Sequence, residues 1–359
     1  GNDMKKLRIL AKYLFIAVFC GVIGLSFLVY NLFSTRFSTD KHENRLRTQL
    51  PQTLQSDPRQ LPQTLNLFME DNAPFRFQLT WVNAQLDYAL FGTSQSKKVL
   101  PGKDGWFFYK ENEPEARPLA RYQGRTDTLD SLAVLAQSSA KLQVIHDRLA
   151  EAGCTLVLDM TPDKARIYRE YLPAGYPIVS EQNRTDRMVA YMQSHTTLPV
   201  NWRYSLLRSQ ARLHPERLLY YKADGHWNAL GALLGLDGVL EELNLPTRLP
   251  TEYTVKPVGT MTGDMAYATS LYDSVPDETC WEVENYAALF SADSRSVRVF
   301  GDSFGEEYLS YLQCRFAAAR WERLENFDAS LLDNPDCQIL ILECNERNLD
   351  KLLDIVENF

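Results

Sequence analysis

Two short stretches carry side chains able to do chemistry together. "ADGHWN" sets an acid and an imidazole two residues apart, Asp224 and His226, with Trp227 next. "GDSFGEE" sets a hydroxyl, Ser303, just after an apolar run. A serine becomes a nucleophile at neutral pH only beside a base, and the base needs an acceptor to orient it. His226, at an expected strand end beside Asp224, is the histidine placed to answer that need. Each stretch also has an ordinary alternative. Asp302 or Ser303 at a helix start serves as an N-cap in any α/β protein, and a histidine beside an acid can ligate a metal. A catalytic zinc takes three protein ligands. No second histidine is placed to help His226 and there is no H-E-x-x-H, so no metal is expected. Of the other histidines, His42 falls in a polar linker, His146 on a helix, and His195 and His214 at helix ends, where a cation is commonplace.

The elements must bring these distant stretches together. The spacing predicts an amphipathic helix with Leu129, Leu132, Ala136, Leu142, Ile145 and Leu149 on one stripe and Gly153 as its stop. Further helices are expected over 181–195, 203–213, 228–243, 305–319 and 347–357. "TLVLDM", "LPVNW", "LLYY", "VRVF" and "CQILILE" read as short apolar strands between them. That alternation predicts an α/β fold with a mainly parallel sheet covered on both faces. In such sheets ligands sit beyond the carboxyl ends of the strands, and three polar motifs fall at those ends: "DMTPDK", "ADGHWN" and "GDSFGEE". Gly301 and Gly225 read as turn formers. Backbone N–H groups of the helix after Ser303 point toward the place where an oxyanion would form. The segment 246–296 breaks the alternation and reads as an inserted cap.

The run Tyr13–Phe33 contains no charged residue, and Lys5, Lys6, Arg8 and Lys12 precede it. About 20 apolar residues span a bilayer core, and basic flanks stay on the cytoplasmic side. The expected organisation is a cytoplasmic 1–12, an uncleaved anchor at 13–33, a linker and N-terminal region at 34–125, and a catalytic domain at 126–359 outside the cytoplasm. "LPQTLQSDPRQLPQT" within the linker reads as an extended connection. A net charge of −8 argues against nucleic acid as a partner. Of six cysteines, Cys20 lies in the apolar run, and the other five show no C-x-x-C. Disulfides suit an oxidising compartment, and Cys280–Cys314 is one pairing to consider.

"DGHWNALG" and "GDSF" resemble the Asp-x-His and Gly-Asp-Ser blocks of the SGNH-hydrolase-like alginate O-acetyltransferase family, of the AlgJ/AlgX type. Agreement extends to "ENR" at Glu43–Arg45, "APFR" at Ala73–Arg76, "GKDGWFFY" at Gly102–Tyr109, "TPDK" at Thr161–Lys164, "TGD" at Thr262–Asp264 and "ECNER" at Glu343–Arg347. The resemblance implies an α/β/α sandwich and a Ser303–His226–Asp224 triad. It implies acetyl transfer to hydroxyls of an exported polysaccharide, with no cofactor. The acetyl group is then supplied by a multipass membrane-bound O-acyltransferase, and the catalytic domain sits in the periplasm on an inner-membrane anchor. No room remains after the final helix for a carbohydrate-binding module, which favours the anchored AlgJ-like members. Tyr308 and Lys164 are candidates for an oxyanion or substrate contact, and Trp227, Trp106 and Tyr109 for stacking on sugar rings. The negative charge opposes long-range attraction of a polyanionic glycan and favours a neutral one such as cellulose. An acetylesterase with the same triad and a non-catalytic glycan-binding subunit are the rival functions.

Overall fold

The computed structural model describes residues 2–32, 63, 70, 75–109, 131–176, 178 and 180–359. The expected extended connection apart from Gln63, the "ENR" stretch, the first two residues of "APFR" and Leu129 lie outside the described residues. The chain divides into two units, Gly1–Phe91 and Gly92–Phe359.

In the first unit, α1 (Asn2–Leu32) and α2 (Arg76–Phe91) are helices. α1 exposes a continuous apolar surface that includes Leu14, Phe15, Val18, Phe19, Val22 and Leu25. Among the described residues no helix is long and apolar enough to cross a membrane, so the structure does not establish the expected anchor. In α2, Leu79, Val82, Leu86 and Leu90 are all exposed.

The second unit opens with a hairpin, β1 (Val99–Pro101) antiparallel to β2 (Phe107–Tyr109). Its body then alternates: α3 (Leu132–Glu151), β3 (Thr155–Thr161), α4 (Lys164–Ile167), α5 (Arg184–His195), β4 (Val200–Trp202), α6 (Tyr204–Leu213) and α7 (Ala229–Glu242). A second antiparallel pair, β5 (Val255–Met261) and β6 (Glu278–Val283), flanks α8 (Asp264–Ala268). The chain ends with β7 (Asp293–Gly301), α9 (Ser303–Glu307), α10 (Leu309–Arg315), β8 (Phe316–Arg323), β9 (Ile339–Asn345) and α11 (Leu349–Glu357). The central sheet has the order β4-β3-β9-β7-β8, and every pairing in it is parallel.

Strand alternation builds two cores, because successive side chains point to opposite faces. Val157, Val297, Val299, Ile339 and Ile341 face a core shared with α6, α7, α9 and α10. Leu156, Leu158, Met160, Phe300, Leu340 and Leu342 face one shared with α3, α5 and α11. This is the expected parallel sheet covered on both faces.

Two expected elements differ. "LLYY" is not a strand of the sheet, and Tyr220 makes only an isolated bridge to Trp227. The N–H groups of the residues after it are taken by side chains rather than by a neighbouring strand, as described below. The helix expected over 305–319 ends at Arg315, and "FAAARWER" is the edge strand β8. Its alanines and charged residues favour helix locally, but pairing with β7 over Ser296–Gly301 decides the outcome. The inserted segment 246–296 supplies the β5–β6 pair and α8.

Candidate active site

Since β3, β7 and β9 run parallel, their carboxyl ends lie on one edge. β7 ends at Gly301 and delivers Ser303 to the start of α9. Gly301 has no positive φ, so it is not a turn former by conformation. Its role is space: a Cβ there would stand 2.6 Å from Oε2 of Glu343. Glu343, on β9, is fully buried beneath this turn. Its Oε2 accepts from the Asp302 N–H at 2.9 Å and the Gly305 N–H at 3.1 Å, while Oε1 accepts from the Thr161 hydroxyl at 2.9 Å. Burial, reinforced by Asp302 and Asp159, pushes the Glu343 carboxyl well up. Asp302 is the N-cap, accepting from the Phe304 N–H at 2.9 Å. Its other oxygen accepts from the Asn345 N–H and Asn348 Nδ2. The Phe304 and Gly305 N–H groups are thus engaged, and the expectation that the first helical turn offers them to an oxyanion does not hold for these two.

Ser303 is exposed. Its Oγ lies 2.7 Å from His226 Nε2, and His226 Nδ1 lies 2.7 Å from Asp224 Oδ1. An ionised Asp224 can only accept, so Nδ1 carries the imidazole proton and Nε2 is free to accept from the serine hydroxyl. Burial alone would raise the Asp224 carboxyl. The His226 bond and charge, together with the N–H groups of Asp264 and His226, hold it instead at about 2. Burial alone would lower His226. The bond and charge of Asp224 outweigh burial and the opposing field of Arg347, and the net direction is up.

The loop carrying these residues is held by side chains from distant elements. Lys164 Nζ, buried at the start of α4, donates to the carbonyls of Tyr221 at 3.1 Å, Lys222 at 3.0 Å and Asp224 at 2.6 Å. Burial lowers its pKa to about 8. Asp163 caps α4 by accepting from the Ala165 N–H, which fixes where Lys164 starts. From β6, Glu278 accepts from the N–H groups of Lys222 and Ala223 at 2.5 and 2.7 Å. Asp264 accepts from the Gly225 N–H at 2.9 Å and donates its own N–H to Asp224 Oδ2 at 3.0 Å. The Tyr109 hydroxyl donates to Asp264 at 3.4 Å. Gly225 likewise has no positive φ. A Cβ there would meet the Tyr109 ring at 2.7 Å, so this glycine makes room for Tyr109 rather than bending the chain.

The other sequence candidates fall elsewhere. Lys164 is fully occupied by the loop carbonyls and faces no substrate. Tyr308 is buried and donates to Asp159 at 2.9 Å, so it is not an oxyanion donor. Trp227 is buried, donates from Nε1 to the Phe304 carbonyl at 3.2 Å and packs edge-on against that ring. Trp106 is buried, with its ring stacked on Tyr168 at 4.1 Å. Neither tryptophan can stack on a sugar. Sequence reasoning assigned no role to Asp264, Glu278, Glu343 or Arg347, although "TGD" and "ECNER" contained three of them. Arg347 lies over the rings of Tyr109 at 4.4 Å and Phe304 at 5.4 Å.

Asp224, His226 and Asp264 also offer atoms within 4.8 Å of one another, a geometry that could hold a cation. The donor set argues for proton handling instead. Both carboxylates already accept backbone N–H bonds, and Nδ1 of the imidazole is committed to Asp224.

A family model, the SGNH hydrolase-like domain of acetyltransferase AlgX, matches residues 99–318. The chain belongs to this family. The match includes Asp224, His226 and Ser303 and stops short of Glu343 and Arg347. Among relatives of this AlgX-family chain, a probable alginate O-acetylase AlgJ of Pseudomonas putida is 25% identical over 165 residues, covering 46% of this chain and 38% of that protein. The counterpart in Pseudomonas syringae pv. tomato is 25% identical over 227 residues, covering 62% and 49%. The chain therefore spans less than half the length of these relatives. The solved O-acetyltransferase domain of P. putida AlgJ is 16% identical with a TM-score of 0.48, covering 73% of this chain and 99% of that one.

Proposed function

We propose that this AlgX-family chain is an O-acetyltransferase that moves acetyl groups onto hydroxyls of an exported polysaccharide. The observation that carries this reading is the hydrogen-bonded line from exposed Ser303 through His226 to Asp224, with 2.7 Å at both links. In the first half, Ser303 Oγ attacks the acetyl carbonyl and its proton passes to His226 Nε2. His226 then hands that proton to the departing group, leaving acetyl-Ser303. In the second half, His226 Nε2 takes the proton of a sugar hydroxyl, whose oxygen attacks the acyl-serine carbonyl; His226 then returns that proton to Ser303 Oγ as the acyl–serine bond breaks, freeing the serine and leaving the imidazole neutral. Asp224 stays ionised throughout and stabilises the transient imidazolium. No cofactor enters these steps.

Tethering to the inner membrane through α1, with the second unit in the periplasm, is part of the proposal. Its support is the charge-free run Tyr13–Phe33 behind a basic flank. A multipass O-acyltransferase delivering acetyl across the membrane completes it. Two relatives are named for alginate, which makes an exported glycan the acceptor to test first, with a neutral glycan such as cellulose beside it.

The purified protein is incubated with an activated acetyl ester, with and without oligosaccharides of either kind. Acetylated oligosaccharide is the expected product, and its formation should fall about 10⁴-fold or more in Ser303→Ala while folding is unchanged. Free acetate as the sole product with every glycan offered would overturn the transferase in favour of an esterase.

A further inference from the structure

The first residues ahead of two central strands form a thiol pair. Cys154 directly precedes β3 and Cys337 lies two residues before β9, strands that pair in parallel from Thr155↔Ile339 onward. The Thr155 N–H donates to the Gln338 carbonyl at 2.9 Å, which locks the two chain segments side by side just where the cysteines sit. Neighbouring strands lie about 4.8 Å apart, inside the Cα separation of roughly 4.4–6.8 Å that a disulfide bridges. The Sγ atoms are 3.8 Å apart although the residues are 183 positions apart in the chain. All six cysteines are free thiols in the structure.

We infer that Cys154 and Cys337 are a disulfide-forming site, closed by thiol–disulfide exchange with a disulfide oxidant. The two cysteines have different environments. Cys154 is buried, whereas Cys337 is partly exposed. Cys337 follows Asp336, which is paired with both Arg298 and Arg320. The bond from Cys154, aided by those guanidinium groups, lowers the Cys337 thiol, and the same bond raises Cys154. Cys337 is thus the attacking sulfur. Its thiolate displaces one thiolate from the oxidant and forms a mixed disulfide. The Cys154 thiol then loses its proton and attacks the Cys337 sulfur, expelling the second thiolate. Two electrons pass to the oxidant, and the two protons released go to its thiolates. Cys280, on β6, and exposed Cys314, on α10, take no part.

The bond ties β3 to β9 at the edge opposite Ser303. These are the strands whose far ends carry Lys164 and Glu343, so the cross-link anchors the sheet without touching the site. This inference does not rest on the acetyl-transfer reading.

The full-length protein is incubated natively with oxidised glutathione, alkylated with N-ethylmaleimide and digested without reduction for peptide mass mapping. The expected species joins the Cys154 and Cys337 peptides. The thermal midpoint should then exceed that of dithiothreitol-reduced protein by several degrees, since the bridge closes a long loop. That difference should vanish in Cys154→Ser and Cys337→Ser and persist in Cys314→Ser. Cys154→Val serves where serine is poorly tolerated in the buried position. Alkylation of both cysteines after oxidation has gone to completion at Cys314, linkage of Cys337 to another cysteine, or an oxidation-dependent shift that survives Cys337→Ser would each overturn the assignment.

Discussion

The two arms of the site are built differently. The nucleophile turn, Gly301–Gly305, is regular strand–turn–helix, and the side chains that hold its N–H groups and its cap carboxylate come from the cap itself or from β9 and the residues just after it: Asp302, Glu343, Asn345 and Asn348. The acid loop, Tyr221–His226, has no regular structure. Its carbonyls are held by Lys164 and its N–H groups by Glu278 and Asp264, which come from a helix start behind β3 and from the inserted segment. One arm is placed by the fold, the other by charged side chains. The loop arm should therefore be the more sensitive to mutation and to pH.

The largest expected effect is at the loop's single grip on three carbonyls. Lys164→Met takes the donor from the Tyr221 and Asp224 carbonyls and leaves that of Lys222 with the Phe107 N–H alone, and a misplacement of about 1 Å at His226 costs on the order of 10²-fold in rate. Steady-state kinetics with the acetyl ester should show at least that loss in kcat. In the native chain the same lysine sets an alkaline limit. Burial favours its neutral form, so above about 8 it loses a proton, and with it one of its three donors. Activity should decline there. An alkaline limb unchanged in a chain whose Lys164 has become methionine would remove this lysine from the account.

Next comes Gly225→Ala. The added Cβ would overlap the Tyr109 ring, and relief requires moving the residue whose hydroxyl reaches Asp264. We expect a loss of about tenfold, with overpacking of this kind costing on the order of 1–3 kcal/mol in stability. Tyr109→Phe/Gly225→Ala and Tyr109→Ala/Gly225→Ala separate the two causes. Only removal of the ring should restore the rate.

The contrast between the arms also explains what could be read in advance. Ser303 was legible because strand, glycine, cap and helix follow a local grammar, and β7 and α9 appear where the apolar run and the polar turn put them. The parallel sheet was legible for the same reason. His226 was legible as a residue type beside an acid, but its setting was not. "LLYY" looks like a strand because leucine and tyrosine favour one, yet Leu219 and Tyr220 are buried as core rather than paired. Lys164, Trp227 and Tyr308 look like reactive or sugar-facing groups by type, and burial assigns all three to support. Glu278 carried no signal, because its partners are backbone N–H groups 55 and 56 residues away.

Asp264→Asn tests the electrostatics of the loop with its shape preserved. The amide oxygen still accepts from the Gly225 N–H, but the negative charge is lost. In the proposed reaction His226 is the base only when neutral, and its folded pKa is raised above the ordinary 6.5, so activity should rise with pH through a midpoint above 6.5. The charges acting on it include Asp224, Asp264 and Glu307, which favour protonation, and Arg347, which opposes it. Without the Asp264 charge the acid limb of kcat/KM should move to lower pH, with a loss of about tenfold or less in the plateau. A limb that stays put would mean that Asp264 is only a spacer.

The smallest effect is expected on the other arm, from Glu343→Gln. Burial and two neighbouring acids push this carboxyl well up, toward the neutral form that the amide matches in charge and shape. Its oxygen can keep both N–H bonds from Asp302 and Gly305, and the Thr161 hydroxyl can turn from donor to acceptor for the new NH₂. A turn fixed by strand, cap and helix should tolerate that exchange, with kcat within about threefold and an unaltered pH profile. Glu343→Ala is the harsher probe, since it removes the acceptor of the Asp302 N–H and leaves the Gly305 N–H with the Asp302 carbonyl alone, an orphaned group costing about 1–3 kcal/mol. If Glu343→Gln cost as much rate as Lys164→Met, the turn would depend on a charge as the loop does. The distinction between an arm set by the fold and an arm set by side chains would then be lost.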